Sequence, residues 1–560
     1  MLGGYRSARR MFGFLLSLCI GLAPGRQPQA GTVRDLGTLN PLYRATQLQG
    51  HLIGMGLMEI PGYLLGPDVD LKYVRKPGMA REIPFADSFT INRFLGGYRE
   101  DWLRKFREWD DRLGRRSLDY VIRQSDGSLK FRPELIRRRL APYLSVGYRP
   151  QDITIALENV PWDLATREGR PPEAGAWGRR SPPGDLEEWA RVIRQFAADL
   201  AAYLGPGAAA IQFETGVEYD ERASFDGTAP EFFQYYETTD RALHSVLPDA
   251  GLTPGEFTAL GICTPNMTNC VYDTRDFLEL AAQDHLTIAD VPRSLHSFLD
   301  KPANAWPSAT IERAVRSYAR LPQTVPEIHQ FGLLNEPFGN EGSDSAAVRV
   351  NWEFQVLLGL WDRLKPRRVF HWGGFDTVGK MAFLNGAGFL RLVLDRYRGS
   401  HAHLLDPQDQ GEARARSAEV MALGLMDSGK SAVILSSFSL YPSDVARPVT
   451  VDLPPGLLAS GARRSIRYRQ SSNVYVLIRG DLAADDNLKP GFGGCSLCLA
   501  APLAMARDAD RARGMLSRNW DRYVEAMKNN LRWRDNDPGV SYAGTQLCVT
   551  IEPNELIVIE

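Results

Sequence analysis

The chain has 560 residues, 44% hydrophobic and 24% charged, with 51 Gly and 36 Pro. That is more than one ordinary core holds, and it predicts a barrel-sized domain followed by a smaller one. Lys and Arg number 66 against 67 Asp and Glu, a net charge of -1, so the chain lacks the basic excess that nucleic-acid binding or recruitment to an anionic membrane needs.

Residues 1–10 carry Arg6, Arg9 and Arg10, residues 11–22 are an apolar run, and residues 24–30 turn polar. That order reads as a secretory signal over residues 1–30, with an apolar run too short for a stable membrane span. Arg9-Arg10-Met11-Phe12 fits a twin-arginine core loosely and Ser17-Leu18-Cys19 is a poor lipoprotein box, which leaves the export route and a lipid anchor at Cys19 open. The expected destination is the periplasm or the medium. In an oxidising compartment Cys263 and Cys270, around a short loop, are expected to pair. Cys495, Cys498 and Cys548 offer one further bridge and a spare thiol. A zinc reading of Cys495-x-x-Cys498 finds no second ligand pair at suitable spacing.

Strand-like runs then alternate with helical periodicity. A helix over residues 133–144 precedes a strand at 153–157. Asp185 is placed to cap a helix whose apolar face is Leu186, Trp189, Ile193, Phe196 and Leu200. That helix ends at Gly205-Pro206-Gly207, and a strand is predicted over 208–215. A later helix on Val348, Trp352, Val356, Leu360 and Leu364 is stopped by Pro366 before a strand at 368–372. Such βα units predict an α/β fold, a (β/α)8 TIM barrel over residues 31–400. From 401 to 560 the texture changes to short strands broken by Gly, Pro and Asp, at 431–441, 448–453, 465–468, 473–478, 545–551 and 556–559. One amphipathic helix runs through Met515, Leu516, Asn519, Tyr523 and Met527. This half predicts an all-β sandwich.

Active sites of barrels lie at the C-terminal ends of strands. Three predicted strands run into acidic residues there: Glu158, in Glu158-Asn-Val-Pro-Trp-Asp163; Glu218, in Gly216-Val-Glu-Tyr-Asp220; and Glu336, in Asn335-Glu-Pro-Phe338. Retaining glycosidases set two carboxyl groups about 5 Å apart across the scissile bond. Glu218 and Glu336 are 118 positions apart, about three strands at roughly 40 residues per unit, which puts them across the barrel mouth from each other. Trp162, Tyr219, Trp372 and Phe375 also fall at predicted strand ends, where aromatic rings serve sugars as platforms. Taken singly, a strand-end Glu fits a solvated loop as well, and a Trp fits core.

The segment Ser181-Pro-Pro-Gly-Asp-Leu-Glu-Glu-Trp189 with Phe213-Glu-Thr-Gly-Val-Glu-Tyr-Asp220 resembles glycoside hydrolase family 39, the β-xylosidase and α-L-iduronidase family. There a Pro-x-Asp-x-x-x-Trp helix leads into a strand ending Phe-Glu-x-x-Asn-Glu-Pro. Asn92-Arg93-Phe94 resembles the family's early Arg-Phe-His-Gly strand, Leu295-His296-Ser297 the strand presenting a His, and Phe370 to Asp376 its Tyr-Trp-x-Phe strand. The resemblance implies hydrolysis with retention of a β-linked glycan or exopolysaccharide, no cofactor and no metal. It implies Glu218 as acid/base and Glu336 as nucleophile, with Arg93, Glu158, Trp162, Tyr219, His296, Asn335 and Trp372 as substrate-binding residues. The expected partner is a carbohydrate, not nucleic acid, and the oligomeric state stays open. Two positions depart from the pattern: Val217 stands where the clan places an Asn, and Leu95 where it places a His. Asn335-Glu336-Pro337 itself reads like an acid/base signature, so the reverse assignment of roles stays open. So does a non-catalytic glycan-binding protein on the same scaffold. A lyase or esterase finds no Gly-x-Ser-x-Gly elbow and no metal-ligand cluster.

Overall fold

The computed structural model describes residues 33–39, 45–48, 88–165, 181–258, 274–334, 347–382, 389–409, 418–485 and 511–560, apart from gaps of a few residues inside those ranges. The leader-like residues 1–30, the site candidates Asn335 and Glu336, and Cys263, Cys270, Cys495 and Cys498 lie outside the described residues. Among the described residues, no helix is long and apolar enough to cross a membrane.

Eight parallel strands order the first part of the chain: β1 (Ala45–Leu48), β2 (Ser88–Ile91), β3 (Ile153–Ala156), β4 (Gln212–Glu214), β5 (Gly251–Thr253, resuming at Phe257–Thr258), β6 (Arg293–Phe298), β7 (Ile328–Leu334) and β8 (Val369–Trp372). They pair in the order β5-β4-β3-β2-β1-β8-β7-β6, and β6 pairs in turn with Phe257–Thr258. The order therefore starts and finishes on the two pieces of β5. Alternation decides the faces. Ile91, Ile153, Ile155, Phe213, Leu295, Ile328 and Val369 join the apolar cores shared with the helices, which turns Thr90, Thr154, Glu214, Ser294, His296, His329 and Phe370 to the other face.

The helix Leu186–Leu204 forms as its pattern predicts. The Asp185 side chain accepts from the backbone N–H of Glu187 and Glu188, and Gly205, with φ 61°, follows its last turn. Its Trp189 is fully buried and donates from Nε1 to Thr239 Oγ1 at 2.9 Å, tying it to the helix Ala229–His244, whose Thr228 and Glu231 make a capping box. The predicted strand over 208–215 is shorter than its run: residues Gly205–Ala210 continue as a 3-10 turn. Pro206 fits that first turn and three alanines carry little strand preference.

The second part is a sandwich of antiparallel sheets. Seven strands pair in the order Arg34–Thr38, His401–Leu405, Glu419–Met426, Ser431–Phe438, Leu556–Ile559, Arg464–Tyr468 and Arg534–Asp535; four more pair as Pro407–Asp409, Arg447–Asp452, Gln546–Ile551 and Val540–Ala543. Arg34–Thr38, expected within the barrel region, belongs to the sandwich. Leu405, Val433, Leu435, Val449, Val451, Val549 and Ile557 fill the space between the sheets. The opposite face of the larger sheet, with Leu404, Leu423, Ile434 and Val558, shares one core with Tyr318, Val350, Trp352 and Leu358 of the first part. Polar bonds cross the same interface: Gln355 Nε2 donates to the carbonyls of Glu419 and Ser436, and Ser436 Oγ donates to Asn351 Oδ1 at 2.7 Å. The run 473–478, expected as a strand, is the helix Val474–Ala484. Ile478 and Leu482, one helical turn apart, are both fully buried, so a short apolar run with no breaker has taken the helical period.

Candidate active site

The strands β2, β3 and β4 lie side by side, and each runs into a residue with left-handed backbone: Arg93 (φ 57°), Asn159 (φ 59°) and Glu218 (φ 53°). Non-glycine residues held there cost about 1–3 kcal/mol each and persist where the surroundings over-determine them, which happens most at functional sites. The surroundings here are on hand. The Arg93 N–H donates to Glu158 Oε1 at 3.0 Å, and the Asn159 N–H donates to the Tyr219 hydroxyl at 3.2 Å. The Glu218 carbonyl accepts from Glu221 N at 2.8 Å. The loop carrying Glu218 is pinned to β5 by Thr215 N to Thr253 O at 3.2 Å and Thr215 Oγ1 to Pro254 O at 3.0 Å.

Glu218 is half-buried at the end of this loop. Its carboxyl is pushed up to about 8, chiefly by burial, with the negative charges of Glu221, Asp220 and Glu158 adding and the Ser294 hydroxyl opposing. A carboxyl so placed is protonated at neutral pH and can donate a proton. Glu158 is fully buried and raised to about 7, by burial first and by Glu214, against the charge and backbone N–H of Arg93. Arg93, Glu158, Glu218 and Ser294 thus converge from four strands. His296 stands two residues beyond Ser294 on the same face of β6 and is buried, and its carbonyl accepts from Arg313.

Two groups missed by the sequence reading complete the interior. Glu214, the last residue of β4, is fully buried with its Oε2 3.2 Å from His329 Nδ1, and His329 Nε2 lies 2.7 Å from Glu327 Oε1. Glu327 is held by Arg367 and Arg368 and stays far below the usual carboxylate range: burial opposes this, and His329 and the two guanidinium groups overcome it. Burial alone would lower His329, but the carboxylates of Glu214 and Glu327 outweigh it and raise it. Asn159 is the second kind of omission. Its side-chain Nδ2 is buried beside Glu158 and meets no hydrogen-bond acceptor among the described residues. Inward alternation along β4 and β7 is the signal that would have found Glu214 and His329.

Two of the expected sugar platforms are packing residues. Tyr219 is 5% exposed, stacks on Phe225 at 4.8 Å and meets Phe232 edge-on, because the turn after Glu218 folds it back onto the helix Ala229–His244. Trp162 is 6% exposed, donates from Nε1 to the Tyr98 carbonyl at 3.0 Å and lies under the Arg115 guanidinium. Leu95 is fully buried in the helix-side core and Val217 is buried beside Glu218. Trp372 ends β8. The strand β7 stops at Leu334, and between it and β4 stand β5 and β6.

No family model matches the sequence, and no curated protein matches it. The fold does have relatives among solved structures. A monomeric beta-xylosidase from Caulobacter crescentus CB15 superposes with a TM-score of 0.58 at 12% identity, over 94% of this chain and 97% of that one. The GH39 enzyme from Xanthomonas axonopodis pv. citri gives 0.54 at 14% identity, over 95% of each. A GH39 beta-xylosidase from Caulobacter crescentus gives 0.54 at 12%, over 94% and 97%. The likeness is one of fold, remote in sequence, and it spans both parts of the chain.

Proposed function

We propose that the chain is a retaining glycoside hydrolase that cleaves a β-linked glycan by double displacement, on a (β/α)8 barrel, with Glu218 as acid/base and Glu336 as nucleophile. The observation that carries the reading is Glu218 itself: a carboxyl at the C-terminal end of a parallel strand, raised to about 8 by burial, three strands around the sheet from the strand that leads into Glu336. Likeness of fold to the beta-xylosidases supports it, although barrels of this kind host many reactions. In the first half-reaction protonated Glu218 gives its proton to the leaving-group oxygen while Glu336 attacks the anomeric carbon and the glycosidic bond breaks. In the second, Glu218, now ionised, takes a proton from water as it displaces Glu336. Glu158, which accepts from the Arg93 N–H, adds its charge to the surroundings of Glu218. Asn159 keeps a buried side-chain N–H without an acceptor among the described residues, and Val217, beside Glu218, offers no hydrogen bond.

The test is a panel of aryl β-glycosides, a β-xyloside among them, and mixed polysaccharides, with the anomeric configuration of the first product read by NMR. Retention on at least one substrate supports the reading, and inversion overturns it. Val217 and Leu95 favour a second reading, a glycan-binding protein without turnover; saturable binding with no hydrolysis across the panel would select it.

A pH dependence follows from the raised carboxyl. The acid works only when protonated, so kcat/KM on substrates with poor leaving groups should fall about tenfold per pH unit above pH 8. Glu218→Gln should abolish that alkaline limb along with most of the activity. A limb that persists unchanged in Glu218→Gln belongs to another group.

A further inference from the structure

Away from the barrel, the strand Arg34–Thr38 pairs antiparallel with His401–Leu405, the first sandwich strand after the parallel domain. Asp35 stands opposite His403 and Thr38 opposite His401, with an irregularity between Asp35 and Gly37 that absorbs one residue. Alternation puts His401 and His403 on one face with Leu405, whose side chain is in the core between the sheets, while Ala402 and Leu404 turn to the other face. His401 is exposed and His403 partly so.

Asp35 Oδ1 lies 2.9 Å from His401 Nε2, and the two imidazole rings are 4.7 Å apart. One ligand atom from each of Asp35, His401 and His403 falls within 4.8 Å of the other two. A tetrahedral Zn2+ with bonds of about 2.0–2.2 Å sets its ligands about 3.4 Å apart, a gap that small rotations of exposed side chains close. The Asp35 carboxylate is already oriented by the Gly37 N–H, which donates to it at 2.7 Å, as outer-shell donors orient metal ligands. Two imidazoles and one carboxylate suit a borderline transition metal and not Mg2+ or Ca2+, which want an all-oxygen shell.

We infer that Asp35, His401 and His403 bind one divalent transition-metal ion of the Zn2+ or Ni2+ type, and that the ion clamps the strand Arg34–Thr38 to its neighbour His401–Leu405. Water completes its shell, and its role is structural. An ion pair between Asp35 and His401 alone would contribute little at the surface. A bound ion would stabilise the fold by an amount that grows with the logarithm of its concentration over its Kd.

The full chain, stripped with a chelator, is titrated calorimetrically with Zn2+, Ni2+ and Mg2+ and melted with and without each. The site predicts one Zn2+ or Ni2+ per chain, a raised Tm with either, and neither effect with Mg2+. His403→Gln and Asp35→Asn should each weaken binding by more than about tenfold and remove the Tm shift. All three positions have solvent access, so these variants should fold. Binding that survives the double variant His401→Gln, His403→Gln, or a Tm that neither ion raises, overturns the site and leaves a surface ion pair.

Discussion

Glu218→Ala is expected to lower turnover of substrates with poor leaving groups by about 10²–10⁴-fold, the usual contribution of a positioned general acid, while sparing the first half-reaction of substrates that leave as a dinitrophenolate. Those leaving groups need no proton, so glycosylation of Glu336 proceeds and the covalent intermediate accumulates, because water then lacks its general base. Azide needs no base. It should restore turnover and yield a glycosyl azide of the substrate's own configuration. The size of the effect comes from where Glu218 sits: a carboxyl raised to about 8 is protonated at rest without help from outside. Equal loss on good and poor leaving groups, with no azide rescue, would remove Glu218 from the acid/base role.

The second large effect is expected at Gly255, between the two pieces of β5. Its φ is +88°, and a Cβ there would lie 2.0 Å from the Gly216 carbonyl oxygen and 2.6 Å from its nitrogen. Both are backbone atoms of the loop that carries Glu218, so no side chain can swing aside. Gly255→Ala should cost about 1–3 kcal/mol for the left-handed backbone and about 1–3 kcal/mol more for the overpacking, with activity falling further than stability as the loop moves. Gly127→Ala is the control. Its φ is +83° and a Cβ there meets nothing within 4 Å, so only the backbone cost applies. Denaturant unfolding of both variants, with kcat on an activated substrate, measures the difference; equal losses would mean that the Gly216 loop gives way freely.

The parts of this fold that could be read beforehand are those in which one physical signal dominates. The helix Leu186–Leu204 has an apolar stripe, an Asp cap and a Gly stop that agree, and the final strand Leu556–Ile559 is an apolar run between polar ends. Where signals conflict, tertiary packing decided. The residues 473–478 have strand-like composition, yet Ile478 and Leu482 are buried on one helical face. Arg34–Thr38 precedes the parallel strands in sequence but pairs with a strand more than 350 residues away, which no local pattern records. In the site, acidic residues at strand ends pointed to Glu158 and Glu218 because topology places such ends together. An aromatic ring at a strand end can turn outward to solvent or back into the fold, and only packing decides: Tyr219 lies against Phe225 and Phe232, and Trp162 donates to the Tyr98 carbonyl. Glu214 and His329 meet at 3.2 Å from β4 and β7, strands far apart in sequence, and no local pattern records that pairing.

Double displacement at this site requires one carboxylate to carry the sugar, and that residue is expected to be Glu336. A glycoside fluorinated at the carbon next to the anomeric centre, with an activated leaving group, slows both half-reactions but the second more, and so traps the covalent intermediate. Peptide mapping of the trapped protein by mass spectrometry should place one sugar on Glu336. An adduct on Glu218, or a substrate turned over with no adduct on either carboxylate, would contradict the account.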